Sequence, residues 1–186
     1  MRSTVILIVT ALLFAAAPAP SALGQFSTAQ SAELDTLFDD LRHAPDEATA
    51  RGIADRIWQL WTHPDDAELA MRVDTIIKNG GFAGPAGQLP EIEALVVDYP
   101  DYAEGYNLRA TAHFLRGDYE NALADVKETL AREPRHFGAL AGRALILHTQ
   151  GKYEEARGAL LEGLEIHPFL PERSLFPDLG PAPIRS

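Results

Sequence analysis

Residues 118–132 carry apolar side chains at the spacing of an amphipathic helix. These side chains fall at i, i+3, i+4, i+7 and i+11, and they are Tyr119, Ala122, Leu123, Val126 and Leu130. Asp118 stands directly before them, where its carboxylate can cap the helix, and Pro134 ends the helix soon after its last turn. The pattern therefore predicts one helix with a single buried face.

The preceding segment, residues 103–116, has a second apolar face and ends at Gly117. The side chains on this face are Tyr106, Ala110, His113 and Phe114. Gly117 suits the tight turn between two helices because glycine readily adopts a positive φ. Helix, glycine turn, helix and proline together predict an antiparallel helical hairpin.

This hairpin recurs 34 residues later in the chain. The residues that recur unchanged are Arg109, Ala110, Gly117, Tyr119, Glu120, Ala122, Glu128, Leu130 and Pro134, which return as Arg143, Ala144, Gly151, Tyr153, Glu154, Ala156, Glu162, Leu164 and Pro168. A fixed period of this length is typical of helical solenoids, in which each unit buries its apolar face against its neighbours. We therefore predict an all-α helical-hairpin solenoid with a partner-binding surface rather than a catalytic pocket.

On either side of these two copies the pattern changes. Residues 69–102 read as a degenerate unit interrupted by a Gly-rich loop at 79–89, and residues 25–68 read as an acidic N-terminal helical hairpin. About eight helices are expected in total. Residues 171–186 contain four prolines, which is incompatible with an α-helix, so we expect a non-helical, extended C-terminal tail that covers the last helix.

The first 24 residues have the pattern of a signal peptide. Arg2 is followed by an apolar run from Val5 to Ala17 and then by small residues before Gln25. We expect cleavage between Gly24 and Gln25, export to the periplasm or the medium, and no membrane span in the mature chain. The alternative is a retained membrane anchor, for which the apolar run is short.

The charge of the chain narrows the classes of partner. The net charge is −11, and residues 25–102 alone carry 15 acidic against 5 basic residues. Such a field repels nucleic acid, whose recognition depends on Lys and Arg. The acidity serves solubility or, alternatively, attracts a basic partner. The chain contains no cysteine, which excludes disulfides and thiolate chemistry.

Few side chains are candidates for binding a metal or for acid–base catalysis. His113 and His148 could begin a metal site if stacked repeats brought them together, and Asp35, Asp39 and His43 share one helix face. We interpret the first two as core and groove residues and the other three as a solvated face. No cofactor, no metal site and no enzymatic activity are predicted.

Arg109 and Arg143 are expected to point towards the seam between the helices of each hairpin. Asp125 on the facing helix is the expected partner of Arg109. The equivalent position in the second copy is Ala159, so Arg143 needs another partner or solvent.

The two copies resemble the tetratricopeptide repeat (TPR) family. Matching positions are Tyr106, Ala110, Ala122, Val126 and Pro134 in residues 103–136, and Leu140, Ala144, Leu147, Ala156, Leu160 and Pro168 in residues 137–170. By this resemblance those two ranges are TPRs and residues 69–102 a degenerate TPR. The chain also resembles small exported TPR proteins of Gram-negative bacteria.

The resemblance implies a concave groove formed by the first helix of each repeat. Carried over by position, the groove residues are Glu104, Asn107, Thr111, Leu115, Ala141, Leu145 and His148. Only Asn107 resembles the family's clamp for a terminal carboxylate, so no such clamp is expected. The implied function is an interaction scaffold or assembly factor that binds a peptide or a partner helix of another protein. The alternative is a structural module that forms homodimers through its end helices.

Overall fold

A computed structural model of the chain describes residues 26–182, in which eight α-helices and no strand are found. The helices are α1 Thr28–Arg42, α2 Glu47–Thr62, α3 Ala67–Asn79, α4 Leu89–Asp98, α5 Ala103–Leu115, α6 Tyr119–Arg132, α7 Phe137–Thr149 and α8 Tyr153–Ile166. The predicted all-α hairpin solenoid of about eight helices is confirmed. The predicted signal peptide lies outside the described residues.

The ends of the helices follow from local sequence. The Asp118 carboxylate accepts a backbone hydrogen bond that caps α6, as the sequence predicts, and the Asp66 carboxylate caps α3 in the same way. Gly117 and Gly151 have φ of 77° and 76°. After α5, the Gly117 N–H bonds the Phe114 carbonyl and the Asp118 N–H bonds the His113 carbonyl, each at 2.9 Å. This is a Schellman turn, which requires the positive φ that glycine tolerates.

Each regular hairpin is held by small residues and by one arginine. Ala110 and Ala122 meet between α5 and α6, and Ala144 and Ala156 meet between α7 and α8; all four are buried. The predicted pair of Arg109 with Asp125 is confirmed, with two hydrogen bonds of 2.9 and 2.7 Å. Arg143, which lacks an aspartate in that position, bonds Glu162 at 2.8 Å instead.

The Gly-rich connection between α3 and α4 is a 3₁₀ helix, Gly81–Gln88, broken at Gly84. Gly84 has φ 54° and ψ −147°, which only glycine adopts without strain. A Cβ at Gly80 would lie 2.8 Å from the Gly84 carbonyl oxygen. The glycines therefore allow the chain to fold back on itself, and they replace the family's short turn in this unit.

The C-terminal tail contains no α-helix in its described part, but it is not extended. It forms two 3₁₀ helices, Pro171–Leu175 and Pro177–Leu179. Phe176 packs edge-on against His148 with ring centroids 5.7 Å apart, and Asp178 bonds Arg157 of α8 at 2.9 Å. The tail therefore folds onto the last repeat.

The N-terminal hairpin shares its core with the last repeat. Leu34, Phe38 and Trp61 belong to the same buried cluster as Phe137 and Leu160. A separate cluster joins α3, α4 and α5. The hairpin α1–α2 thus folds back towards α7 and α8. None of the helices in residues 26–182 has the length and apolarity needed to cross a membrane.

Candidate functional site

A cleft of about 470 Å³ opens between α2 on one side and α5 and α7 on the other. Its walls are Glu47, Arg51, Ala54, Asp55 and Trp58 from α2, Asn107 and Thr111 from α5, Phe137, Gly138, Ala141, Gly142 and Leu145 from α7, and His167, Phe169, Leu170, Pro171 and Glu172 after α8. Since α5 and α7 are the first helices of the two regular repeats, the cleft lies on the surface where the groove was predicted.

The predicted groove residues fall into two sets. Asn107, Thr111, Ala141 and Leu145 line the cleft. Three others do not: Glu104 is only 3% exposed, Leu115 is exposed beside Gly84, and His148 packs against Tyr153 and Phe176. The binding role of the first four stays a prediction.

Sequence reasoning missed the wall that α2 contributes. Trp58 sits directly on Gly138: a Cβ at Gly138 would lie 2.8 Å from Trp58 Cζ2. The Trp58 ring also meets Phe137 edge-on, with centroids 5.8 Å apart. Repeat rules predict contacts between neighbouring units only, so the one signal available was the pair of tryptophans at positions 58 and 61.

A buried polar network joins α5 to the start of α7 beside the cleft. His136, which is completely buried, caps α7 by accepting the Ala139 backbone N–H at its Nδ1, at 3.1 Å. The proton of the ring must therefore be on Nε2, which donates to Glu104 Oε2 at 2.9 Å. The Asn107 amide nitrogen contacts both oxygens of Glu104 at 3.2 Å. The network fixes the orientation of Asn107 at the cleft surface.

We call the charged residues that line the cleft its mouth, since Glu47, Arg51 and Asp55 are exposed and Glu172 is half-buried. The mouth is acidic, because Arg51 is the single Lys or Arg among the described lining residues. Glu47 already bonds Arg51 at 2.7 Å. Burial lowers the pKa of His167 to about 4, so this imidazole adds no positive charge at neutral pH.

The residues that the sequence analysis considered for a metal or acid–base site have other partners in the structure. His113 lies 3.5 Å from Asp118 and 3.8 Å from Asp125, whereas His148 contacts aromatic rings. On α1, Asp39 and His43 are exposed neighbours, and Asp35 bonds Arg135 at 2.7 Å. In residues 26–182, no group of three or more His, Asp or Glu side chains is placed to hold a metal ion.

Stacked antiparallel helical hairpins with a groove along their first helices define a helical-repeat protein. The tetratricopeptide repeat family model matches residues 89–130 and 107–171. A TPR repeat-containing protein of Rhizobium etli is 32% identical over 142 residues, which cover 76% of this chain and 70% of that protein. The chain therefore belongs to the tetratricopeptide repeat family.

A second relative matches over a shorter region. The protein SGT1 homolog of Bos taurus is 30% identical over 83 residues, which are 45% of this chain and 25% of that protein. The match thus spans a quarter of that relative. TPR proteins bind other proteins, and the repeats suggest an interaction scaffold.

Proposed function

We propose that the protein is a non-catalytic interaction scaffold or assembly factor of the bacterial cell envelope, and that it binds a segment of another protein in the cleft between α2, α5 and α7. The observation that carries the proposal is the cleft itself, which is formed by the first helices of both regular repeats. Its lining combines apolar side chains with a few polar groups, which is typical of peptide-recognition grooves.

The position of α2 shapes the space offered to a partner. α2 forms one wall of the cleft and α5 and α7 the other, so a bound segment is flanked on both sides. The proposed ligand is an extended peptide segment or a partner helix, since both are recognised in grooves lined by helices.

The binding test compares two leucines on neighbouring helices. Leu145 of α7 lines the cleft, whereas Leu161 of α8 is 40% exposed and lies outside it. Tagged full-length protein carrying Leu145→Glu or Leu161→Glu is used to capture proteins from envelope extract of its own host. We expect Leu145→Glu to lose partners that Leu161→Glu retains. Retention of every partner by Leu145→Glu would contradict binding in the cleft.

The location is tested by cell fractionation. The proposal of an envelope protein is supported by the basic Arg2, the apolar run from Val5 to Ala17 and the small residues that follow. We expect the mature product in the periplasmic fraction or the medium, with an intact mass that begins at Gln25. A full-length product confined to the cytoplasm would rule this location out.

A further inference from the structure

The floor of the cleft offers a place for one apolar side chain. Ala54 of α2 and Phe137, Ala141 and Leu145 of α7 face the same space, and Phe169 and Leu170 close its end. Ala54, Phe137 and Ala141 are each nearly buried even without a partner. An aliphatic or aromatic side chain placed there removes its own apolar surface from water against side chains that are already buried.

Two carboxylates at the mouth have no partner in the described part of the chain. Asp55 makes no hydrogen bond or ion pair there, and the Oε2 atom of Glu172 is buried without a hydrogen-bond partner. The single arginine of the mouth, Arg51, is already held by Glu47. Asp55 is exposed, so a donor from a bound segment can reach it directly, and Glu172 adds a second negative charge to the lining of the cleft.

The two polar side chains of α5 that line the cleft, Asn107 and Thr111, offer acceptor oxygens to a ligand. The amide nitrogen of Asn107 is directed to Glu104, which leaves its carbonyl oxygen available. The Thr111 hydroxyl donates its proton to the Asn107 carbonyl of the main chain, at 2.9 Å. A ligand that matches these groups must bring donors, and Lys and Arg are the charged side chains that donate without accepting.

We propose that the cleft binds a cationic segment of the partner protein, with Lys or Arg next to an aliphatic or aromatic residue. This inference rests on the proposed function and names the chemistry of its partner. The apolar residue occupies the floor, and its basic neighbour pairs with Asp55 and Glu172. The net charge of −11 attracts such a segment from a distance and raises its rate of association.

The test is selection from a displayed library of random nonapeptides on the full chain. Recovered peptides are then measured against the double variant Asp55→Asn with Glu172→Gln, which keeps the shape of both side chains. The matched control is Asp40→Asn with Glu165→Gln, which removes the same charge on α1 and α8, outside the cleft. Circular dichroism and urea unfolding verify that each variant is folded.

We expect peptides enriched in Lys or Arg beside Leu, Ile or Phe. Their affinity should fall about tenfold in the cleft variant and less than about twofold in the control. Peptides that depend on Leu145 but carry no excess of basic residues would overturn this inference and leave the proposed function standing. Failure to recover any peptide weakened by Leu145→Asn, which removes the apolar contact without adding a charge that attracts a cationic peptide, would overturn both.

Discussion

The indole of Trp61 lies flat on the imidazole of His136, with ring centroids 4.0 Å apart and planes inclined by 9°. Trp61 lies in the last turn of α2 and His136 is the N-cap of α7, so this stack joins the N-terminal hairpin to the last repeat. The Trp61 carbonyl also accepts the Tyr102 hydroxyl at 2.6 Å. The hairpin α1–α2, which forms one wall of the cleft, is therefore held against the starts of α5 and α7.

Substitution of His136 should destabilise the fold strongly. His136→Ala removes the cap of α7, the partner stacked on Trp61 and the shortest hydrogen bond to the buried Glu104 carboxylate, which then keeps only the Asn107 amide as a donor. Together these losses should lower the free energy of unfolding by about 3–4 kcal/mol. Urea unfolding measures it.

The control for that experiment is His43→Ala, which removes an exposed imidazole at the end of α1. Its expected cost is about 0.5 kcal/mol or less. Equal losses in the two variants would show that the network of His136 contributes nothing to stability.

Two glycines of α7 should respond to alanine in opposite directions. A Cβ at Gly138 would lie 2.8 Å from the Trp58 ring, whereas a Cβ at Gly142 meets nothing within 4 Å. Gly142→Ala should raise the free energy of unfolding by about 0.5–1 kcal/mol through helix propensity. Gly138→Ala should lower it by about 1–2 kcal/mol because Trp58 must move.

Tryptophan fluorescence provides a second readout for this pair. The chain has two tryptophans, and Trp58 is the one displaced. We expect the emission of Gly138→Ala to shift to the red, and that of Gly142→Ala to stay as in the wild type. A Gly138→Ala protein as stable as Gly142→Ala, with unchanged emission, would argue against the close seating of α2 on α7.

The equivalent arginines of the two repeats should differ in importance. Arg109 forms two bonds to Asp125, whose side chain is 6% exposed, whereas Arg143 bonds Glu162, whose side chain is 59% exposed. Arg109→Ala removes both hydrogen bonds from the buried Asp125 carboxylate and should cost about 2 kcal/mol. The cost is moderate because Arg109 itself retains some solvent contact. Arg143→Ala should cost under about 1 kcal/mol. Thermal or urea unfolding measures both costs. Equal costs would contradict the prediction that the buried Asp125 makes the Arg109 pair the more important of the two.

The repeat hairpins were predictable because their determinants are local. The stripe from Tyr119 to Leu130, the Gly117 turn and the Asp118 cap each lie within one unit, and Arg109 meets Asp125 across a single hairpin. Because the two copies agree in the same phase, they also predict that the hairpins stack as a solenoid.

The return of α2 onto α7 could not be predicted in this way. It depends on Trp58 meeting Gly138 and on Trp61 meeting His136, residues far apart in the sequence and in units that a regular solenoid does not bring together. The burial of Glu104 could not be predicted either. The repeat register places this residue in a groove, but it is 3% exposed and accepts a hydrogen bond from His136.

The free energy of unfolding should depend on pH through the titration of His167. Burial lowers its pKa to about 4 from an ordinary value of 6.5. Between these two pH values the unfolded chain binds a proton that the folded chain does not. The free energy of unfolding therefore falls as the pH is lowered from 6.5 to about 4, and this residue adds no further change below that.

His167→Asn removes the titration but keeps an acceptor for the Phe169 N–H, which lies 3.3 Å from the Nδ1 atom of His167. We expect the wild type to lose about 2 kcal/mol more than this variant over that pH range, with residual solvent contact of the ring taken into account. Parallel curves for the wild type and His167→Asn would mean that His167 takes up its proton equally in both states, and the cleft would then carry a positive charge that opposes a cationic partner in mild acid.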